Sequence, residues 1–181
     1  MKDLQTIEET LKYLQFDNWE QSAPGLARSR ELLGLLGNPE QKLKFVHIAG
    51  TNGKGSTAAM LASVLQLAGS RTGHSTSPHL LRFHERMRVT GEEIDDNSLI
   101  SLTNTVRNAA ERMSEMPTGF EIMTAIAFLY IVQEQCDIVS LEVGLGGRMD
   151  STNVIPAPEV CVVANLGLEH TSILGDTVEK I

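Results

Sequence analysis

Lys44-Phe45-Val46-His47-Ile48-Ala49-Gly50-Thr51-Asn52-Gly53-Lys54-Gly55-Ser56-Thr57 is the stretch that settles the fold class. Residues 44–49 are an apolar run of strand length, and residues 56–68 follow with helix-forming spacing, ended by Gly69. Between them, three glycines let the backbone turn tightly and bring several N–H groups to one point. Lys54 adds a compact positive charge, and the new helix presents the positive end of its dipole to the same place. A polyphosphate carries the charges that such a nest neutralises. Gly55 separates Lys54 from the hydroxyls of Ser56 and Thr57, which departs from the commonest P-loop pattern. A flexible surface turn is the alternative, and the flanking strand and helix argue against it.

Outward from this unit the pattern stays α/β. Towards the N-terminus, Thr6 and Glu9 have capping-box spacing ahead of an Ile7, Leu11, Leu14 stripe, which predicts a first helix. A polar loop (Asp17, Asn18, Ser22, Pro24, Gly25) leads to a second amphipathic stretch from about Leu26 to Leu36, stopped by Gly37-Asn38-Pro39. Towards the C-terminus, Arg71 to Pro78 holds a short strand. Arg82 to Val89 is charged and reads as an exposed or substrate-facing segment. Thr90-Gly91-Glu92-Glu93 is a turn. Asp95 or Asp96 caps a helix reaching about Met116, broken by Pro117, and a helix from Phe120 to Gln135 is apolar almost all round and so buried. DIVSLEV (137–143) and EVCVVAN (159–165) are continuous apolar strands of the kind found inside parallel sheets. The expectation is a mostly parallel sheet flanked by helices, with right-handed crossovers.

Composition bounds what such a domain can do. The 181 residues suit one domain or most of one, and 15 Lys and Arg against 23 Asp and Glu give a net charge of −8. That balance lacks the basic field needed to grip a nucleic-acid backbone or an anionic membrane, so bound phosphate must be held locally. The longest apolar-leaning run, residues 122–132, is 11 residues, against about 20 for a membrane span. MKDLQTIEETLKYL (1–14) is charged throughout and lacks the apolar block of a signal peptide. Cys136 and Cys161 are too far apart for a zinc or redox motif and read as reduced core thiols, which points to the cytoplasm.

Three further constellations can carry chemistry. In Leu141-Glu142-Val143-Gly144-Leu145-Gly146-Gly147-Arg148-Met149-Asp150-Ser151-Thr152-Asn153, Glu142 sits near the carboxyl end of a buried strand, where open α/β sheets place ligands. A carboxylate there is costly unless it meets a cation: either Arg148, or the Mg²⁺ that accompanies a nucleotide. The phosphate loop favours the metal. Ser75-Thr76-Ser77-Pro78-His79-Leu80 supplies hydroxyls that can ligate Mg²⁺, and the arginines of residues 82–88 suit carboxylates, although a charged run is often a solvated face. His170, in Asn165-Leu166-Gly167-Leu168-Glu169-His170, is a metal ligand, a phosphate contact or a structural residue. His47 reads as packed inside its strand, and His74 carries no signal.

Taken together, GTNGKGS (50–56), SPHL (77–80) with RFHER (82–86), LEVGLGGRMDSTN (141–153) and GLEH (167–170) resemble folylpolyglutamate synthase and its bifunctional relative dihydrofolate synthase, within the Mur ligase superfamily. The resemblance spans nearly the whole chain and matches the family's N-terminal portion. It implies an ATP-dependent ligase: ATP phosphorylates a carboxylate of a folate or dihydropteroate substrate, and the amine of L-glutamate attacks the acyl phosphate. It implies that Asn52, Gly53, Lys54, Gly55, Ser56 and Thr57 hold the ATP phosphates, with Lys54 stabilising charge in transfer. Ser77, Glu142 and His170 match the family's Mg²⁺ ligands, which makes Lys54, Glu142 and His170 the catalytic candidates. Pro24, Gly25, Leu26, Phe120 and Asp150 fall where the family contacts the pterin or its aminobenzoate, with Arg82 near the same pocket.

Some features depart from that pattern. Glu169 stands where the family has Asp, and Met149 and Ser151 replace other small or apolar residues. The family's carbamylated lysine lies in a Glu-Lys-Ala-Gly stretch expected a few residues beyond Ile181, and Lys180 reads as a surface lysine instead. Residues 1–181 are therefore expected to be an incomplete ATP-binding domain without the family's C-terminal domain, and to be inactive alone. Two other readings remain at this level: a non-catalytic nucleotide- or pterin-binding module, and an unrelated P-loop NTPase, which leaves SPHL and LEVGLGGRMDSTN unexplained.

Overall fold

Residues 2–15 and 25–181 are described by the computed structural model. Its helices are α1 (Ile7–Leu14), α2 (Ala27–Leu35), α3 (Lys54–Leu67), α4 (Asp96–Ala110), α5 (Gly119–Gln133) and α6 (Thr171–Leu174). Its strands are β1 (Phe45–Ala49), β2 (Thr72–Ser75), β3 (Met87–Val89), β4 (Glu92–Glu93), β5 (Ile138–Glu142) and β6 (Val160–Val163). The strands form one sheet in the order β4-β3-β2-β5-β1-β6. β2, β5, β1 and β6 run parallel, while β3 and β4 add an antiparallel hairpin at one edge. The mostly parallel α/β sheet expected from the sequence is the one observed.

The two-residue period of the strands sorts side chains to the two faces. Phe45, Val139 and Leu141 join one large core with α1, α2, α4 and α5, in which Phe45 and Phe128 meet edge to face with ring centres 5.6 Å apart. Val46 and Ile48 point to the other face, against Ala58, Leu61 and Leu65 of α3. The Ser140 hydroxyl, also on that face, donates to Ala58 O at 2.8 Å. A helix layer on each face is the arrangement that buries a parallel sheet.

Local chemistry explains most boundaries. Thr6 caps α1 by accepting from Glu9 N at 3.2 Å, while the Glu9 carboxylate reaches Gln5 N at 2.8 Å. Asp95 caps α4 in the same way. α5 opens on a full capping box, with Glu121 N donating to Thr118 Oγ1 at 3.2 Å and Thr118 N to Glu121 Oε2 at 2.7 Å. The buried Glu121 also receives Arg28 Nε at 3.1 Å and Ser29 Oγ at 3.3 Å, which fastens the start of α2 to the start of α5. Thr90 and Gly91, with φ of 51° and 88°, make the two-residue turn of the β3–β4 hairpin.

Several expectations are corrected. α3 begins at Lys54, two residues before the predicted start, so Lys54 and Gly55 lie inside its first turn. α4 ends at Ala110 instead of near Met116, because Arg112 N and Met113 N tighten onto carbonyls three residues back. The 82–89 segment is no solvated face: Phe83, His84 and Glu85 are buried in a 3-10 turn, and residues 87–89 are β3. The Glu85 carboxylate collects the N–H groups of Leu80, Leu81 and Arg82 at 2.8 Å each. These bonds, from Leu80 first, hold its pKa down to about 2. Among the described residues β6 pairs with β1 alone and is an edge strand, with Val160 and Val163 exposed. Cys161 is accordingly exposed, not a core thiol, while Cys136 is half-buried, and both are free. Among the described residues no helix is long and apolar enough to cross a membrane.

Candidate active site

The chain leaves β1 to cross towards β2 on one side, and leaves β5 to cross towards β6 on the other. The crevice at the carboxyl ends of β1 and β5 is thus the switch point of the sheet, where open α/β folds bind ligands. Ile48 and Glu142 pair in the register there, so the glycine loop after β1 and the acid ending β5 emerge side by side.

Gly53, at φ 82°, turns the loop into α3. Lys54 Nζ donates to Gly50 O at 2.6 Å and Thr51 O at 3.2 Å, and so curls over the loop. The segment after β6 braces the other side. Asn52 and Asn165 form an isolated bridge, and Thr51 Oγ1 and the backbone of Gly167 exchange hydrogen bonds of 3.0 and 3.1 Å. A Cβ on Gly55 would stand 3.4 Å from Glu142 Oε2 and 3.5 Å from Oε1. Gly55 thus lies within van der Waals reach of the acid, and the first turn of α3, with its free N–H groups, faces the carboxylate.

Glu142 is only 6% exposed. Its Oε2 accepts from the Thr76 hydroxyl and from Ser77 N at 3.1 Å. The anticipated alternative partner, Arg148, is exposed, and among the described residues no cation pairs with Glu142. A buried carboxylate with donors on one oxygen and no cation is an incomplete arrangement. Its hard oxygen, beside hydroxyls and a helix N-terminus, suits Mg²⁺ with phosphate oxygens completing the shell. The fit of these residues to a divalent cation is good.

A second cluster lies beyond the end of β5. A Cβ on Gly144 would stand 2.7 Å from Phe120 Cε1 and 3.0 Å from Asp150 Oδ2, so the missing side chain is what lets Phe120 and Asp150 converge there. Asp150 Oδ2 accepts from Leu145 N at 2.8 Å, which closes the 145–150 loop. Its Oδ1 accepts from Thr152 N at 3.0 Å and Thr152 Oγ1 at 2.6 Å. Thr152 in turn meets His47 Nε2 at 2.9 Å. Burial pushes the His47 pKa below its usual value, and the charge of Asp150 opposes that shift. His47 is thus packed as expected, but it has a polar partner.

The structure does not gather every anticipated residue. Asn52 to Thr57, Thr76, Ser77 and Glu142 form one cluster, and Phe120 and Asp150 form its neighbour. Gly25 and Leu26 precede Arg28 and Ser29, which are tied to Glu121, the neighbour of Phe120, at the start of α5; Pro24 lies outside the described residues. The Arg82 guanidinium pairs with Glu93 of β4 at 2.8 Å. His170, at φ 48° on an exposed segment, has Nε2 3.6 Å from Glu169 Oε1 and no bond to Glu142. Thr152 carries a link that the sequence reading did not single out, although Asp-x-Thr is a recognisable side-chain-to-backbone turn.

A strand, glycine loop and helix facing a buried acid at the switch point of a parallel sheet define a P-loop α/β protein. No protein-family model matches the chain. It is 46% identical over 163 residues to the dihydrofolate synthase/folylpolyglutamate synthase of Bacillus subtilis (strain 168), covering 87% of this chain and 38% of the relative. It is 40% identical over 184 residues to the folylpolyglutamate synthase of Lacticaseibacillus casei, covering 96% and 41% respectively. The solved structure of E. coli FolC in complex with DHPP and ADP superposes with a TM-score of 0.91 at 35% identity, covering 99% of this chain and 43% of that one. The chain belongs to the folylpolyglutamate synthase/dihydrofolate synthase family and matches its N-terminal portion. It spans about two fifths of the length of these curated relatives.

Proposed function

We propose that this chain supplies the nucleotide- and pterin-binding part of an ATP-dependent ligase joining L-glutamate to a folate or dihydropteroate carboxylate. One observation carries the reading: the buried, cation-free carboxylate of Glu142 lies against the first turn of α3, within 3.4 Å of a Cβ position on Gly55. In the proposed reaction the substrate carboxylate attacks the γ-phosphorus of ATP and ADP leaves. The glutamate amine then attacks the acyl phosphate, losing a proton as the amide forms and inorganic phosphate departs. The N–H groups of residues 52–56 and the Thr57 hydroxyl hold the phosphates, and Lys54 swings from its loop carbonyls to the transferring phosphoryl group. Ser77, Glu142 and His170 would hold Mg²⁺. Bound there, Mg²⁺ offsets the repulsion between the two anions that must meet. Gly25, Leu26, Phe120 and Asp150 hold the pterin side, with Arg82 at its margin.

Residues 1–181 act in this reading as part of the family's ATP-binding domain, in the cytoplasm, where the two unpaired cysteines stay reduced. Titration with the ATP analogue AMPPCP, with and without MgCl₂, tests the site. Binding should need Mg²⁺, and Glu142→Gln should weaken it by about tenfold or more. An unchanged affinity in Glu142→Gln would falsify the assignment. The 181 residues alone should release no ADP in response to folate plus glutamate.

A further inference from the structure

His47 and Thr152 are 105 positions apart, and neither belongs to the phosphate loop or to the pterin-contacting set. Their hydrogens can nevertheless be placed by elimination. The Asp150 carboxylate is an acceptor here, taking Leu145 N on Oδ2 and Thr152 N on Oδ1. The single Thr152 hydroxyl hydrogen, with Oγ1 2.6 Å from Oδ1, therefore points to the carboxylate. Thr152 Oγ1 is left to accept, so His47 Nε2, 2.9 Å away, must carry a hydrogen and donate it. A second hydroxyl pair works the same way on the opposite flank. Thr124 Oγ1 donates to Phe120 O at 2.9 Å, so Ser151 Oγ donates to Thr124 Oγ1 at 2.8 Å. The turn carrying Asp150 is thus fastened to β1 by one relay and to α5 by the other, at residues that are all buried except Phe120.

From this we infer that His47 is a positioning residue: through Thr152 it fixes the Asp150 carboxylate, and with it the 144–150 loop against Phe120. Both oxygens of Asp150 are already engaged, so this carboxylate meets a ligand only in the orientation that the relay sets. The inference rests on the proposed pterin site for its functional consequence, but the relay itself is testable without substrate. Buried side-chain hydrogen bonds of this kind rigidify a site because each member has no other partner to turn to.

Three measurements on the chain decide it. Long-range ¹H–¹⁵N spectra at neutral pH should show His47 as the Nε2–H tautomer; the Nδ1–H tautomer overturns the relay. Thr152→Val, nearly isosteric, should speed amide hydrogen exchange at Leu145 by about tenfold, and Thr152→Ser should restore protection. Equal protection in wild type and Thr152→Val overturns the inference. Dihydropteroate affinity, by fluorescence titration, should fall by about tenfold in Thr152→Val and recover in Thr152→Ser. A wild type with the expected tautomer and exchange behaviour but no dihydropteroate binding upholds the positioning role and refutes the pterin reading instead.

Discussion

Replacing His74 with leucine should make this domain markedly less acid-sensitive between pH 7 and 5. His74 lies on the face of β2 turned to α3, paired in register with Arg88 of β3, and is 8% exposed. Among the described residues its Nδ1 has no hydrogen-bond partner. Burial, reinforced by the charge of Arg88 and opposed by a bond to Ser140 O, pushes its pKa from 6.5 down to about 4. The folded state therefore prefers the neutral ring. That preference stabilises the fold fully above pH 6.5 and is lost as pH falls towards 4. At about 1.4 kcal/mol per pH unit, the whole shift amounts to about 3 kcal/mol, of which about 2 kcal/mol is gone by pH 5. Glu85 does not confuse the window, because its depressed pKa makes it destabilise only below its ordinary value of 4.5. His47 shifts in the same direction but is common to both proteins and cancels in their difference. Urea denaturation at pH 7, 6 and 5 should show wild type losing about 2 kcal/mol more than His74→Leu between pH 7 and 5. Parallel curves for the two proteins, or a native His74 that titrates near 6.5 by NMR, would refute the argument.

Two further substitutions separate folding from binding. Gly55→Ala places its methyl in ordinary contact with Glu142, 3.4 Å from Oε2, inside a helical turn where alanine is favoured by about 1 kcal/mol. Thermal denaturation should therefore show an unchanged or slightly raised Tm, while AMPPCP titration shows affinity reduced by about tenfold or more because the methyl takes up space beside the phosphates; a folded variant that binds normally contradicts their placement against this turn. Thr118→Ala removes the hydroxyl that accepts Glu121 N and should cost about 1 kcal/mol in urea denaturation at pH 7. A loss below a few tenths would show that the box at the start of α5 contributes little.

How much of this was legible in the sequence follows the range of the forces involved. β1, β5, α5 and the glycine loop were readable because each is specified by neighbours a few residues away: an apolar run, a 3.6-residue period, a glycine beside a lysine. The start of α3 was misjudged by two residues because glycine is a poor helix former, and the residue that Gly55 faces, Glu142, lies far along the chain. β6 was read as interior from its valines, since composition reports which side chains prefer burial and not which partners are present to bury them. The charged segment at 82–89 misled for the converse reason. Glu85 and Arg86 are spent on backbone amides, His79 and the Phe83 ring, and local spacing gives no hint of such partners.

The site divides along the same line. Glu142 was identifiable because a carboxylate at the end of an apolar strand is expensive wherever that strand goes, so the sequence alone implied a compensating group. Whether the compensation was Arg148 or a cation depended on a distance, and the folded chain leaves Arg148 in solvent and the first turn of α3 on the acid. Asp150 shows the opposite case. The family resemblance implied a ligand contact for it, yet each oxygen is already engaged, and its hold on the loop runs through Thr152 to a histidine that looked like core. A polar residue in a strand buried on both faces implies a partner as surely as a charge does, because an unpaired donor there costs about 1–3 kcal/mol. Applied to β1, that rule asks what His47 bonds to; applied to β2, it asks the same of His74, for which the fold supplies only Ser140 O and leaves Nδ1 unpaired. The two histidines thus have opposite meanings for one physical reason: the first is buried with a partner that organises the loop, and the second is buried at a net cost that pH can reveal.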